Sequence, residues 1–356
     1  MTTSTVLLAL AASLLAYSNG ANDNLKGFAT VIGSDVLSYR AALILATITT
    51  CAGSVASVVF AGELIKSFSG FGVLPSQIAG TPALLLAVTA GAASTVLLAT
   101  ILGLPISTTH GLTGALAGAG LVAAGTELKL DALGSAFFLP LIVSPILAVI
   151  LTALLYFSTR RLRSGSAAPR QQVDDVPAGR TGPRSLGAAA TAEQPSLPPG
   201  APSTGRLANG AHTASASLLC FSRGLNDTPK IVALILGVQG LDVSYGMAVV
   251  AVAMAAGGVL SGWKVAHTMS RQISPMEGGQ GLVANMISSV LVIGASRYGL
   301  PVSTTHVTVG AIAGVGLLNR NARRRMLLQI LLAWILTLPL AAAIGAAAYI
   351  MISGRI

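Results

Sequence analysis

The sequence predicts an all-α integral membrane protein of about ten transmembrane segments, arranged as two inverted repeats with discontinuous helices. Three observations carry this prediction. Of the 356 residues, 53% are hydrophobic and only 9% are charged, whereas a soluble domain carries about 25% charged residues; the chain cannot cover a water-facing surface. Two polar strings recur in matched order, and internal repeats set architecture. Each half also holds five apolar segments, an odd number, so the second half enters the bilayer from the opposite side. The 40 glycines and 4% aromatic content fit helices packed through small residues, not an aromatic-girdled barrel.

In chain order, the first half, residues 1–157, offers apolar segments at 4–33, 39–61, 80–102, 106–124 and 132–157. The first lacks a charged leader and runs straight into a repeated motif, so it is expected to be a retained helix and not a signal peptide. Residues 158–212 are rich in Pro, Gly, Ala, Ser and Arg without helical periodicity; burial there cannot offset ordering entropy, which predicts a disordered linker. The second half, residues 213–356, offers segments at 213–239, 244–265, 280–297, 302–319 and 326–352. The segments opening at Ser107 and Ser303 are short and Gly-rich, as half-helices or hairpins would be.

Basic residues orient the chain. With the linker cytoplasmic, its seven arginines lie inside together with Arg40, Lys264, Arg271, Arg320, Arg323, Arg324 and Arg325. Only Lys66, Lys129, Arg297 and Arg355 fall outside, and both termini face out. The net charge of +10 is spread between apolar runs and along the linker, without the folded basic face of a nucleic-acid binder. Cys51 and Cys220 sit in apolar runs without metal-ligand spacing and read as small buried hydrophobes.

The first repeated string is Ser-x-Gly-x-Asn-Asp-x-x-Lys, at Ser18–Lys26 and Ser222–Lys230. Asp23 and Asp227 are carboxylates in apolar surroundings, where a charge costs at least ~2.5–3.5 kcal/mol and must pair, meet water or bind an ion. Lys26 and Lys230 stand at i+3 and are candidate charge partners. Equally, the Asn-Asp pairs with their flanking glycines suit helix breaks. There Asn22, Asp23, Asn226 and Asp227, with freed carbonyls, would ligate a small cation or carry a proton.

The second string is Leu-Pro-Ile/Val-Ser-Thr-Thr-His, at Leu104–His110 and Leu300–His306. Proline followed by hydroxyl residues and an apolar run marks a helix N-terminus. Such a terminus attracts anions, and Ser107, Thr108, Thr109, Ser303, Thr304 and Thr305 supply neutral donors for a tetrahedral oxyanion. Simple N-capping is the plainer role for these hydroxyls, and the matched duplication favours the anion site. His110 and His306 either donate to the anion or take part in proton coupling, or pack between helices. Two lone histidines make no metal site. No nucleophile–base constellation and no Walker motif is present, which argues against an enzyme and against an ATP-driven pump.

Together, the duplicated Asn-Asp and Pro-Ile/Val-Ser-Thr-Thr-His strings in two halves joined by a polar linker resemble the inorganic phosphate transporter (PiT) family. Ile273-Ser274-Pro275-Met276-Glu277-Gly278 resembles a less diagnostic family element. The resemblance implies symport of inorganic phosphate with H⁺ or Na⁺ by alternating access, without a cofactor, in a homodimer. It places phosphate on Ser107, Thr108, Thr109, Ser303, Thr304 and Thr305, and the coupling cation on Asn22, Asp23, Asn226 and Asp227. The family's first copy usually continues Gly-Ala-Asn-Asp-Val-Ala-Asn; here Asn24-Leu25-Lys26 follows, so an ammonium is expected in space that Na⁺ would use. A sulfate or other oxyanion permease is the nearest alternative, and a passive channel or non-transporting scaffold a more distant one. The lack of an organelle-targeting pattern and the Ala/Gly/Arg-rich linker point to a bacterial inner membrane.

Overall fold

The computed structural model describes residues 3–60, 62–165, 205–235, 242–272, 277–320 and 322–354. Helices account for nearly all of it, and no strand is present among the described residues. In chain order the first half holds α1 (Thr3–Asp23), α2 (Ala29–Gly33), α3 (Tyr39–Phe60), α4 (Gly62–Phe68), α5 (Pro82–Ile101) and α6 (Thr108–Ala124). It ends with α7 (Leu130–Leu133), which leads through a π-helical turn into α8 (Leu139–Gly165). The second half holds α9 (Arg206–Ile235), α10 (Val243–Ser261), α11 (Trp263–His267), α12 (Gly278–Arg297), α13 (Thr304–Leu318) and α14 (Arg324–Ser353).

Among the described residues six stretches are long and apolar enough to cross a membrane: Tyr39–Val59, Pro82–Ile101, Leu130–Thr159, Val243–Ser261, Gly278–Arg297 and Arg324–Ser353. Their outer faces present large apolar side chains, such as Ile44, Ile48 and Val55 on α3, Leu139 and Leu154 on α8, and Leu332 and Leu336 on α14. Lipid solvates such faces as well as a protein core would. The chain is a multi-pass membrane protein. The remaining long helices, α1 and α9, carry the Asn-Asp strings, and α9 is buried at every residue from Ser222 to Ile235. Helices α6 and α13, of 17 and 15 residues, are too short to cross a bilayer alone, which takes about 20.

The packing partners repeat when the halves are exchanged. Helix α3 packs on α9 and α1 on α10; α1 packs on α5 and α9 on α12; α6 packs on α14 and α13 on α8; α5 packs on α14 and α12 on α8. The close crossings repeat as well. A Cβ at Gly20 would lie 1.9 Å from the Met254 carbonyl oxygen, and one at Gly224 would lie 2.1 Å from that of Thr50. These motif glycines are therefore not loosening the backbone; they let α1 and α10, and α9 and α3, touch main chain to main chain. Gly118 against Ala342 and Gly314 against Val149 do the same where α6 meets α14 and α13 meets α8.

The two Asn-Asp strings differ in backbone. Helix α1 ends at Asp23 and the chain turns through residues 24–28 before α2. Asn24 and Gly27 in this stretch are poor helix residues, and Gly27 lies where a Cβ would be 2.6 Å from Cys220 Sγ. In the second copy α9 runs on to Ile235 with Pro229 inside it. The expected helix break is thus seen in the first copy, whereas the second copy stays helical because Ile231–Ile235 bury an apolar continuation that outweighs the bond lost at the proline. Helix also extends past the expected limits of the linker, to Gly165 in α8 and from Arg206 in α9. The centre of the linker, 166–204, and residues 273–276 of the Ile273–Gly278 string lie outside the described residues.

Candidate functional site

The four repeated strings meet at one place, between the end of α1, the middle of α9 and the N-termini of α6 and α13. Residues 104–107 and 300–303 approach without helix, with Val302 N–H bonded to the Leu300 carbonyl in the second copy, and each short helix starts after its extended serine. Ser107 and Ser303 have nearly the same backbone angles, and each Oγ accepts the N–H three residues on, His110 N and His306 N, both at 3.1 Å. These serines are N-caps, satisfying one of the donors a helix start leaves open.

The threonines cross between the halves. Thr109 Oγ1 donates to the Val302 carbonyl at 3.2 Å, and Thr305 Oγ1 donates to the Ile106 carbonyl at 2.8 Å. The lysines follow the same rule. Lys26 Nζ donates to Asn22 Oδ1 at 3.0 Å, to the Ile106 carbonyl at 2.8 Å, to Asp23 Oδ1 and to Thr305 Oγ1. Lys230 Nζ donates to Thr109 Oγ1 at 2.9 Å, to the Val302 carbonyl at 2.7 Å and to Asp227 Oδ1 at 3.3 Å. Each lysine ties its own Asp to a threonine of the opposite half.

The asparagines hold the non-helical segments ahead of α6 and α13, and Asn226 also reaches a carboxylate. Asn22 Nδ2 donates to Thr100 Oγ1 and to the Leu104 carbonyl, both at 3.0 Å, while its Oδ1 accepts Ile106 N at 3.1 Å. Asn226 Nδ2 donates to Asp227 Oδ1 at 2.9 Å and to the Val302 carbonyl at 3.3 Å, and its Oδ1 accepts from Ser296 Oγ at 3.1 Å. Thr100 and Ser296 stand at the same place in the two repeats, four residues before Leu104 and Leu300.

Two residues that the sequence did not single out hold the centre. Asn19 Nδ2 lies 2.9 Å from Thr108 Oγ1, 3.3 Å from Asp23 Oδ2 and 3.2 Å from Asp227 Oδ2, so one amide joins both carboxylates. Arg223 donates to Asn19 Oδ1 at 2.8 Å and to Asn24 Oδ1 and Thr50 Oγ1 at 3.2 Å, with its Nε 3.8 Å from Asp227 Oδ2. These two occupy the same variable position of the Ser-x-Gly string, Asn in one copy and Arg in the other. A charged residue in an apolar run was the available signal. The cluster then holds Lys26, Lys230 and Arg223 against Asp23 and Asp227, all nine-tenths or more buried, an excess of one positive charge when each is ionised. A surplus of positive charge beside two helix N-termini is an environment for an anion.

His110 and His306 lie together, with ring centroids 4.2 Å apart and planes near perpendicular. Trp334 stacks on His306 at 3.7 Å and donates to the Pro105 carbonyl at 3.3 Å. Both rings wall an apolar cavity of about 580 Å³ between α8 and α14. Among the described residues neither ring is hydrogen-bonded to the Asp–Lys network. No group of three or more His, Cys, Asp or Glu residues that could hold a metal ion occurs among the described residues. Cys51 and Cys220 are free thiols, half-buried and buried.

Comparison with known proteins agrees with the motifs. A chain from Bacillus subtilis (strain 168) named "Probable low-affinity inorganic phosphate transporter" is 26% identical over 368 residues, covering 98% of this chain and 97% of its own. One of the same name from Rhizobium meliloti (strain 1021) is 28% identical over 349 residues, covering 94% and 92%. These relatives are named as transporters and not as enzymes. A solved structure described as "The sodium-dependent phosphate transporter" superimposes with a TM-score of 0.79 over 100% of both chains at 19% identity, a likeness of fold. The sequence model of the "Phosphate transporter family" matches residues 19–345, and the chain belongs to that family.

Proposed function

We propose that this protein is a secondary transporter that imports inorganic phosphate by symport with H⁺ or Na⁺, with two inverted halves alternating about a site near the bilayer midplane. The observation that carries this is the crossing of the halves at one buried polar cluster, where Lys26 binds Thr305 and Lys230 binds Thr109. Groups that belong to both halves sense the relative position of both, which is what alternating access about a shared site requires. In this reading Thr108, Thr109, Thr304 and Thr305, with the N-termini of α6 and α13, hold the phosphate, and Ser107 and Ser303 shape those termini. Asn22, Asp23, Asn226 and Asp227 handle the coupling cation. Neutral donors alone do not separate phosphate from sulfate. Phosphate carries a proton that a carboxylate can accept, and Asp23 and Asp227 favour phosphate for that reason.

The same proposal sets the linker in the cytoplasm, both termini outside, and two copies in a bacterial inner membrane. Radiolabelled phosphate uptake into proteoliposomes tests the function. Accumulation driven by an imposed pH or Na⁺ gradient, and resistant to excess sulfate, is the expected result. Sulfate uptake in its place would move the chain to the sulfate alternative, and equilibration without accumulation would make it a passive channel.

A further inference from the structure

The surroundings of the two lysine ammoniums have the composition of a cation site. Lys26 Nζ has four oxygens about it, from an amide (Asn22), a carboxylate (Asp23), a backbone carbonyl (Ile106) and a hydroxyl (Thr305). Lys230 Nζ has three, from a carboxylate (Asp227), a backbone carbonyl (Val302) and a hydroxyl (Thr109). Freed carbonyls, carboxylates and hydroxyls are the donors that hard cations take inside membranes. Both side chains are fully enclosed, Lys26 at 3% exposure and Lys230 at 1%. Each cage draws its carboxylate from one half and its hydroxyl from the other.

A salt bridge that only holds a helix turn together needs the i,i+3 carboxylate and nothing more. Here each ammonium also collects a carbonyl from the non-helical segment ahead of a short helix and a hydroxyl from the opposite half. Bulk solvent is not needed to satisfy it.

We propose that Lys26 and Lys230 are tethered monovalent cations: the chain's own ammonium groups fill the oxygen cages that a diffusible Na⁺ would otherwise fill, so phosphate uptake does not require Na⁺. The tethered charge stays with the protein through the cycle, neutralises its Asp and offsets the charge of the anion beside it. It moves with its own half of the chain, Lys26 on the turn after α1 and Lys230 on α9, while its threonine partner moves with the other half. Removing the head group empties the cage and leaves a buried carboxylate that demands a cation, so the variant acquires a Na⁺ site.

This inference rests on the phosphate-transport reading only where uptake is the readout, and a second measurement makes it independent. Lys26→Ala empties the cage, whereas Lys26→Met removes the charge and keeps the cage filled. Uptake is driven by a pH gradient in proteoliposomes with either Na⁺ or choline as the bulk cation. In parallel, the unfolding temperature of the purified full chain in detergent is titrated with NaCl against choline chloride. Wild type is expected to be indifferent to Na⁺ in both. Lys26→Ala is expected to transport about 100–1,000-fold less in choline than in Na⁺, the scale set by leaving a buried charge unpaired, and to be stabilised by Na⁺. Lys26→Met shows neither response. Na⁺-dependent uptake or Na⁺ stabilisation of wild type overturns the proposal, and so does a Lys26→Ala protein equally impaired in both cations. If Lys26→Ala does not accumulate as folded protein, the wild-type titration decides in the same two ways. A wild type that takes up no phosphate refutes the functional reading, while the Na⁺ titration still reports on the cages.

Discussion

Asp23 and Asp227 share one amide, Asn19, and face three basic side chains without bulk water. An unpaired charge in such a place is expensive, so each partner is held by several others. Asp23→Asn and Asp227→Asn are each expected to abolish gradient-driven phosphate accumulation while the protein still reaches the membrane, checked by uptake and by immunoblot of membranes. Normal accumulation in either variant removes that carboxylate from the mechanism. Arg223 supplies the surplus positive charge. Arg223→Gln removes charge-assisted bonds of about 1.5–3 kcal/mol each and is expected to raise the half-saturation concentration for phosphate by about 10–100-fold; an unchanged value makes Arg223 a packing residue. The pairing of Asp23 with Lys26 was legible because it is local. The roles of Asn19 and Arg223 were not, because each joins residues about 200 positions apart, and a single chain without a fold does not show which variable position of a motif faces inward.

Helices α1 and α9 show why a motif does not dictate its backbone. Both strings carry Gly and Asn-Asp, and both read as helix breaks from sequence. One breaks after Asp23; the other stays helical through Pro229. The following residues decide, Asn24-Leu25-Lys26-Gly27 against Thr228-Pro229-Lys230-Ile231. The glycines Gly20 and Gly224 have another task, close helix crossing, which depends on what lies opposite and so was invisible beforehand. Gly224→Ala places a Cβ 2.1 Å from the Thr50 carbonyl oxygen and is expected to destabilise the protein by about 1–3 kcal/mol or more, read as a lower unfolding temperature in detergent. At Gly294 a Cβ would meet nothing within 4 Å, and Gly294→Ala is expected to leave stability unchanged or raise it by up to ~1 kcal/mol. Equal effects at the two positions would contradict the packing argument. The starts of α6 and α13, by contrast, were legible, because Pro-x-Ser-Thr-Thr-His carries its own start signal, although the duplication favoured an anion site over capping for the two serines.

Across the whole molecule, exchange of the halves carries one set of helix contacts into the other. The duplicated strings announced this relation at the level of sequence, and the apolar segments announced the helices, since a membrane chain without a barrel's alternating, aromatic-girdled strands crosses as helices. Sidedness is the remaining global property, and the positive residues predict it. In a variant lacking Cys51 and Cys220, Ser353→Cys is expected to react with a membrane-impermeant maleimide in intact cells, whereas Ser185→Cys in the linker reacts only after permeabilisation. The reverse pattern inverts the topology.

In the proposed mechanism one anion is held jointly by the two halves at the starts of α6 and α13. A crystal structure with arsenate, a phosphate analogue located by anomalous scattering, tests it most directly. The predicted result is a peak within hydrogen-bond distance of the Thr109 and Thr305 hydroxyls, with contacts from both halves. A peak against one half alone, or in the apolar cavity beside His306, would contradict it.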